Sequence, residues 1–261
     1  MALKCGRGVA LEVFSGSGAL SKAWRQCRRL AGVPIFELDI ANDGSLDLLT
    51  RKMQQNVLGW VRAGLVTTVW LGTPCNSWSR AREIPGGPPP LRSGDFPLGL
   101  PGLRRADADK VRIGNELARF SAQLFRTCRT LGVPCAIENP HMSRLWNAPF
   151  TPQVTPPGSR SARPIRDTII DMSQYGTEYR KRTRIRSVHI DFGPAACRCT
   201  GRTACSRSGL PHVHLQGKSN GAFLTLRAEA YPRGLCRGLV SCLANARASC
   251  LAASLNSVLS T

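Results

Sequence analysis

Short apolar runs alternate with amphipathic helical stretches through the first third of the chain, and this alternation constrains the fold more than any other feature. Residues 9–14, Val-Ala-Leu-Glu-Val-Phe, end in Ser15-Gly16-Ser17-Gly18, after which Leu20, Ala23, Trp24, Cys27 and Leu30 recur at helical spacing. Residues 33–40 read as a second strand. Leu49, Met53, Val57 and Trp60 then space out a second helix before a third strand at 66–71. Strands separated by helices require right-handed crossovers, which predicts a mostly parallel sheet with helices on both faces. A chain of 261 residues can bury one sizeable core and carry a small appendage.

The rest of the chain is less regular. Prolines and glycines crowd residues 80–112 and exclude a regular element there. Leu117, Phe120, Leu124, Cys128 and Leu131 mark the next helix, and residues 133–137 form a strand that runs into Glu138-Asn139-Pro140. A second break at 149–163 precedes two strand-like stretches, 168–172 and 183–190. Residues 197–214 are rich in Cys, His, Gly and Arg, and Leu235, Leu239, Val240 and Leu243 define a closing helix. The small, polar tail at 244–261 is expected to fray.

Charge narrows the partners. With 36 Lys+Arg against 16 Asp+Glu the chain carries a formal +20, which favours a polyanion, foremost nucleic acid. No run reaches the ~18 to 20 consecutive apolar residues of a membrane span, and no secretory h-region precedes the first strand. An intracellular protein is expected, nuclear in a eukaryote. Eleven cysteines, an odd number scattered through helices and loops, fit reduced thiols, with Cys27, Cys128, Cys236 and Cys242 packing the core.

Four groups of residues stand where an open α/β sheet puts its chemistry, at strand carboxyl ends. Pro74 holds Cys75 at the end of the third strand, a position for a nucleophilic thiol. Gly16 and Gly18 give a turn through which an adenosyl group can approach the backbone. Glu37 and Asp39 end the second strand, where a carboxylate can accept hydrogen bonds from ribose hydroxyls, and Asp47 follows near the end of the next short segment. Glu138, bracketed by Ile137 and Pro140, ends the strand expected beside that of Cys75. A thiol facing a carboxylic acid suits covalent addition to an electron-poor ring.

These motifs, in order, resemble those of the cytosine-5 DNA methyltransferase family. The likeness rests on Phe14-x-Gly16-x-Gly18, Glu37-x-Asp39, Pro74-Cys75 with Ser77 and Ser79, Glu138-Asn139, Tyr175-Gly176 with Arg180-Lys181-Arg182-Thr183-Arg184, and Ala230-Tyr231-Pro232 before a helix. It covers most of residues 9–245 and implies a Rossmann-like, S-adenosylmethionine-dependent fold. On that resemblance Cys75 attacks carbon 6 of a cytosine flipped from double-stranded DNA, and Glu138 contacts ring nitrogen 3. Arg180, Lys181 and Arg184 hold the base or its flanking phosphates, while Phe14, Gly16, Gly18, Glu37, Asp39, Asp47, Pro74 and Glu229 line the cofactor pocket. Residues 80–112 would be a mobile loop closing over DNA.

The chain departs from the family pattern at four places. Asn76 replaces a Gln after the cysteine, and Pro140 replaces a Val after Glu-Asn. Tyr179, Lys181 and Thr183 occupy the places of Gln-x-Arg-x-Arg, and Glu229 stands where an Asn helps close the cofactor pocket. Three other readings are an RNA cytosine methyltransferase, an inactive basic DNA-binding relative, and a dinucleotide oxidoreductase, the last disfavoured by the missing third glycine.

Between the basic motif and the last helix only a short segment remains for target recognition. Cys197, Cys205 and His212, with Cys199 preferred to His214 as the fourth ligand, have an order and spacing that could hold a structural zinc. The expected organisation is therefore a catalytic domain at 1–187, a minimal recognition module at 188–220 and a returning helix within 221–261.

Overall fold

The computed structural model describes residues 8–84, 88–219 and 222–259. Six strands form one sheet: β1 (Val9–Val13), β2 (Ile35–Leu38), β3 (Val66–Leu71), β4 (Cys135–Pro140), β5 (Ile165–Asp171) and β6 (Arg182–Val188), in the order β2-β1-β3-β4-β6-β5. Four helices accompany them: α1 (Ala19–Gln26), α2 (Arg51–Arg62), α3 (Arg105–Leu131) and α4 (Arg233–Leu259).

The sheet is mixed. β2, β1, β3 and β4 are parallel neighbours, whereas β6 pairs antiparallel with both β4 and β5. From β1 the chain builds outward to β2 on one side, then returns to place β3 on the other. The β1–β3 boundary is thus a topological switch point, where a crevice opens past the strand ends.

Alternation along each strand sorts side chains onto two faces. Leu11, Val13, Val69, Leu71 and Ile137 pack with Val57, Leu58 and Val61 of α2 and Phe120, Leu124 and Phe125 of α3. Ala10, Trp70, Ala136, Ile170 and Ile185 pack on the other face with Leu20 and Trp24 of α1 and Leu235, Leu239 and Leu243 of α4. The core is therefore two apolar layers with the sheet between them.

Several boundaries differ from those predicted. Pairing with β6 carries β4 through Glu138 and Asn139, opposite Ile185 and Arg184, so both lie inside the strand and not beyond it. β2 stops at Leu38, and Asp39 begins the turn. The region 80–112 is not one irregular loop. A short 3₁₀ turn occupies Arg80–Glu83, α3 starts at Arg105, and Leu91 and Arg92 between them are buried; Pro85, Gly86 and Gly87 lie outside the described residues. The tail expected to fray continues α4 as far as Leu259, because its many alanines and leucines favour helix. A two-stranded ribbon, β7 (Lys218–Ser219) with β8 (Ala222–Phe223), precedes α4. Among the described residues no helix is long and apolar enough to cross a membrane.

Candidate active site and basic cleft

Cys75 follows β3 on a segment pinned from three directions. Asn139 Nδ2 donates to the Thr73 carbonyl at 2.7 Å, the Thr73 hydroxyl donates to Ser121 Oγ of α3 at 2.9 Å, and the Cys75 carbonyl accepts from Trp78 and Ser79 N–H at 2.9 and 2.8 Å. Pro74 sits between two of these anchors. The thiol is half-buried. Burial pushes it above its ordinary range, Lys181 pulls it down, and Glu138 and Glu229 push it up.

Glu138 is the adjoining acid. β3 and β4 are in register through Leu71 and Ile137, which brings Glu138 level with the start of the Cys75 segment. Its Oε2 accepts from the Tyr231 hydroxyl at 2.9 Å, while Oε1 is buried with no partner among the described residues. Burial holds this carboxyl above its usual range, against Lys181 and the Tyr231 hydrogen bond. The neighbouring Asn139 leaves Oδ1 equally unpartnered. A native fold rarely strands such polar atoms, so the pair points to a ligand whose own polar atoms meet them.

Lys181 is the cation common to both groups. Its Nζ donates to the Ala228 carbonyl at 2.5 Å, and its backbone is forced to φ 21°, an uncommon conformation for a non-glycine residue. The other two basic candidates are not brought to the thiol. Arg180 donates to Asp171 at 3.3 Å and to the Cys199 carbonyl at 2.8 Å. Arg184 pairs with Asp167 at 3.2 Å, contacts His141 and lies 5.3 Å over the Trp146 ring. Both are held by carboxylates of β5, the strand across from β6, as are Arg182 and Arg186.

At the switch point the glycine turn has the expected shape. Gly16 and Gly18 adopt φ 53° and 62°, and the Gly16 N–H donates to Asp39 Oδ2 at 2.8 Å. Any Cβ on Gly18 would collide with the Glu37 carboxylate, so the turn requires glycine there. Glu37 itself pairs with Arg25 at 2.7 Å. Phe14 takes φ 59° and ties β1 to β2 through Leu38. Asp47 serves a local turn, accepting the Leu49 N–H at 2.9 Å. Glu229 is exposed at the end of the 3₁₀ turn Leu224–Ala228.

Two residues escaped the sequence reading. Glu12, in the middle of β1, is buried. Its Oε2 accepts from the Ser21 N–H and hydroxyl, its Oε1 has no partner among the described residues, and burial pushes its carboxyl up to about 7. An acid inside an apolar strand was the available signal. Arg92 is the other: buried against Trp78 at 3.4 Å, it donates to the Ser77 carbonyl and hydroxyl and to Asn115. No periodicity marks a lone arginine in a proline-rich loop.

Lys181 also lines a cleft of about 800 Å³ shared by Arg80, Arg180, Arg182, Arg202, His141, His212 and His214. Glu83 is the single acid on its wall, already bound by Arg80 and Arg144. The cleft is therefore suited to an anion. On its far side Cys199, Cys205 and His212 place their donor atoms within 4.8 Å of one another. The Ser208 backbone N–H, against the cost of burial and aided by that of Arg207, brings the Cys205 thiol down to about 6. Cys197 is not in the group. It follows a tight turn at Ala196 (φ −82°, ψ 70°) closed by the Cys197 N–H on the Ala195 carbonyl, which turns its exposed side chain toward Tyr175.

No family model matches the chain, and no curated protein matches it. Among solved structures it is similar to the methyltransferase EhMeth of Entamoeba histolytica, with a TM-score of 0.36 and 12% identity over 82% of this chain. The match spans 61% of that longer chain. So loose a likeness carries no chemistry from one molecule to the other.

Proposed function

We propose that the chain is an S-adenosylmethionine-dependent methyltransferase acting on carbon 5 of cytosine in DNA, with Cys75 as nucleophile and Glu138 as proton donor. The observation that carries this reading is the buried Glu138 carboxyl beside the Cys75 thiol, one oxygen fixed by Tyr231 and the other without a partner. Burial favours the protonated form of this carboxyl, which can give a hydrogen bond to ring nitrogen 3 of cytosine, and the orphaned Asn139 Oδ1 can accept from an amino group.

The chemistry assigned to these residues balances as follows. The thiol gives its proton to solvent, and the thiolate forms a bond to carbon 6 while Glu138 passes its proton to nitrogen 3. The carbon 5–carbon 6 double bond supplies the electron pair that makes carbon 5 nucleophilic. Carbon 5 bonds to the methyl group that a bound cofactor would supply by breaking its methyl–sulfur bond. Solvent then takes the proton from carbon 5, its electron pair re-forms the ring double bond as the bond from sulfur to carbon 6 breaks, and nitrogen 3 returns its proton to Glu138. Lys181 stabilises the thiolate, and Asn139, Ser121 and Arg92 keep the Cys75 segment in place.

The cofactor fits the switch point on three grounds. Gly16 and Gly18 hold left-handed backbone with open space beside Gly16, Glu37 lies near the end of β2 and Asp39 follows the strand, and Glu12 Oε1 is a buried acceptor without a donor among the described residues. Phe14, Gly16, Gly18, Glu37 and Asp39 would hold it, and when bound it supplies the methyl group. Asp47 is spent locally and drops out of this set. The parallel β2-β1-β3-β4 order supports a Rossmann-like reading of this half. The +20 charge and the basic cleft support DNA as the partner in this reading. A metal at the Cys/His cluster would belong to the cleft wall and not to the chemistry.

Incubation with methyl-labelled S-adenosylmethionine and either DNA or RNA tests the proposal, with nucleoside analysis of the product. Label in 5-methylcytosine of DNA is expected. Label in RNA alone would reassign the substrate, and label in neither, with no cofactor binding, would overturn the enzyme reading.

A further inference from the structure

Residues 199–217 contain no helix or strand, yet they bury two thiols against a histidine. A segment this short cannot build its own apolar core. We infer that Cys199, Cys205 and His212 bind one zinc ion with solvent as the fourth ligand, and that this ion fixes the wall of the basic cleft.

The distances suit the ion. Zn–S of about 2.3 Å and Zn–N of about 2.0–2.1 Å at a tetrahedral angle separate sulfur from nitrogen by about 3.6 Å. Cys199 Sγ lies 3.6 Å from His212 Nε2. The surroundings are those of thiolate ligands. Ser206 donates to Cys199 Sγ from its N–H at 3.3 Å and its hydroxyl at 3.5 Å, and Gln174 Nε2 donates to Cys205 Sγ at 3.6 Å. Gly201 completes the design, since a Cβ there would run into the Ala204 carbonyl and prevent the turn that brings Cys205 back to Cys199. Cys197 faces away, and among the described residues no further Cys, His, Asp or Glu joins the three.

The cluster reaches the cleft through backbone bonds. Cys199 accepts from Arg180 Nη2 at 2.8 Å through its carbonyl and donates its N–H to Asp171 at 2.9 Å, and Val213, next to His212, donates to the Glu178 carbonyl at 2.8 Å. Both ends of the ligand set therefore grip the segment 178–180 that precedes Lys181. The inference is independent of methyl transfer, because it concerns metal content and anion binding alone.

Elemental analysis of the full chain, purified with zinc in the medium, should find about one zinc per molecule. Cys199→Ser and His212→Ala should lower the occupancy at least about tenfold, and Cys197→Ser should leave it unchanged. Should the ligand variants fail to fold, the unaltered chain gives the answer. A chelator should speed alkylation of Cys199 and Cys205 at least about tenfold without affecting Cys197, and weaken binding of a DNA duplex until zinc is restored. Occupancy below about a tenth of an ion, with alkylation of all three cysteines indifferent to chelator, would overturn the metal site. Loss of zinc in Cys197→Ser would overturn the three-ligand assignment, and DNA binding indifferent to chelator would overturn the link to the cleft.

Discussion

Burial raises both the Cys75 thiol and the Glu138 carboxyl, and Lys181 is the cation that opposes both shifts. Adduct formation needs the thiol ionised and the carboxyl protonated, so its rate should pass through a maximum between the two titrations. Removing the cation in Lys181→Met raises both groups, and the pH profile of single-turnover adduct formation should move to higher pH. A profile that stays in place would separate Lys181 from the chemistry. Glu138→Gln keeps the shape but loses the proton. It should slow the same step by about 10² to 10⁴ while duplex affinity stays within about twofold. Glu12 gives a stability test. Its folded carboxyl titrates at about 7 against an ordinary 4.5, so the folded state binds the proton more tightly. Its contribution is fully present below 4.5 and is lost as the pH rises through 7, a loss of about 3 kcal/mol at 1.36 kcal/mol per unit. Denaturant unfolding at pH 4.5 and 8 should show this decline, and Glu12→Gln should flatten it.

At the scale of elements, the segment after Cys75 is held chiefly by Arg92. Burial lowers its guanidinium to about 10, and the Ser77 carbonyl, the Ser77 hydroxyl and Asn115 Oδ1 all depend on it. Arg92→Met orphans these acceptors at a cost of about 3 kcal/mol, which for a chain of this size lowers the melting temperature by about 6 to 12 °C. A change below about 2 °C in calorimetry would show the segment is fixed by something else. The alternation of apolar runs with helical spacing was enough to read β1, β3, α2 and the two-faced sheet, because burial on both faces writes itself into local pattern. The reversal of β6 was not legible, since alternation is the same in either direction. Nor was the division of the basic run. Arg180 and Arg184 read as ligand-facing until β5 supplies Asp171 and Asp167, residues that only tertiary pairing brings across. The same limit put Cys197 outside the cluster of Cys199, Cys205 and His212, for spacing could not reveal the turn at Ala196. The placement of Cys75 just past β3 was legible because a strand end flanked by proline is marked locally, whereas the extension of β4 through Glu138 depends on its pairing with β6.

For the molecule as a whole, the +20 charge and a cleft with one acid on its wall predict electrostatic capture of nucleic acid. Arg180 and Arg182 share Asp171, so the cleft offers fewer net charges than its cations suggest. Log affinity for duplex DNA against log salt should have a slope of about −3 to −5, or roughly a 60- to 1,000-fold loss between about 50 and 200 mM. A slope near −1 would mean that the charge is spread over the surface and not gathered at the site. Arg202→Glu should make the slope shallower by about 1 to 2.

The most direct measurement is covalent trapping by an oligonucleotide carrying 5-fluorocytosine, whose fluorine cannot leave as a proton does and so blocks release of the thiol. With S-adenosylmethionine present, the unaltered chain should yield a denaturation-resistant adduct in which peptide mapping finds the base on Cys75, and Cys75→Ser should yield none. An undiminished adduct from Cys75→Ser, or one mapped to another cysteine, would contradict the assignment on which the proposed mechanism depends.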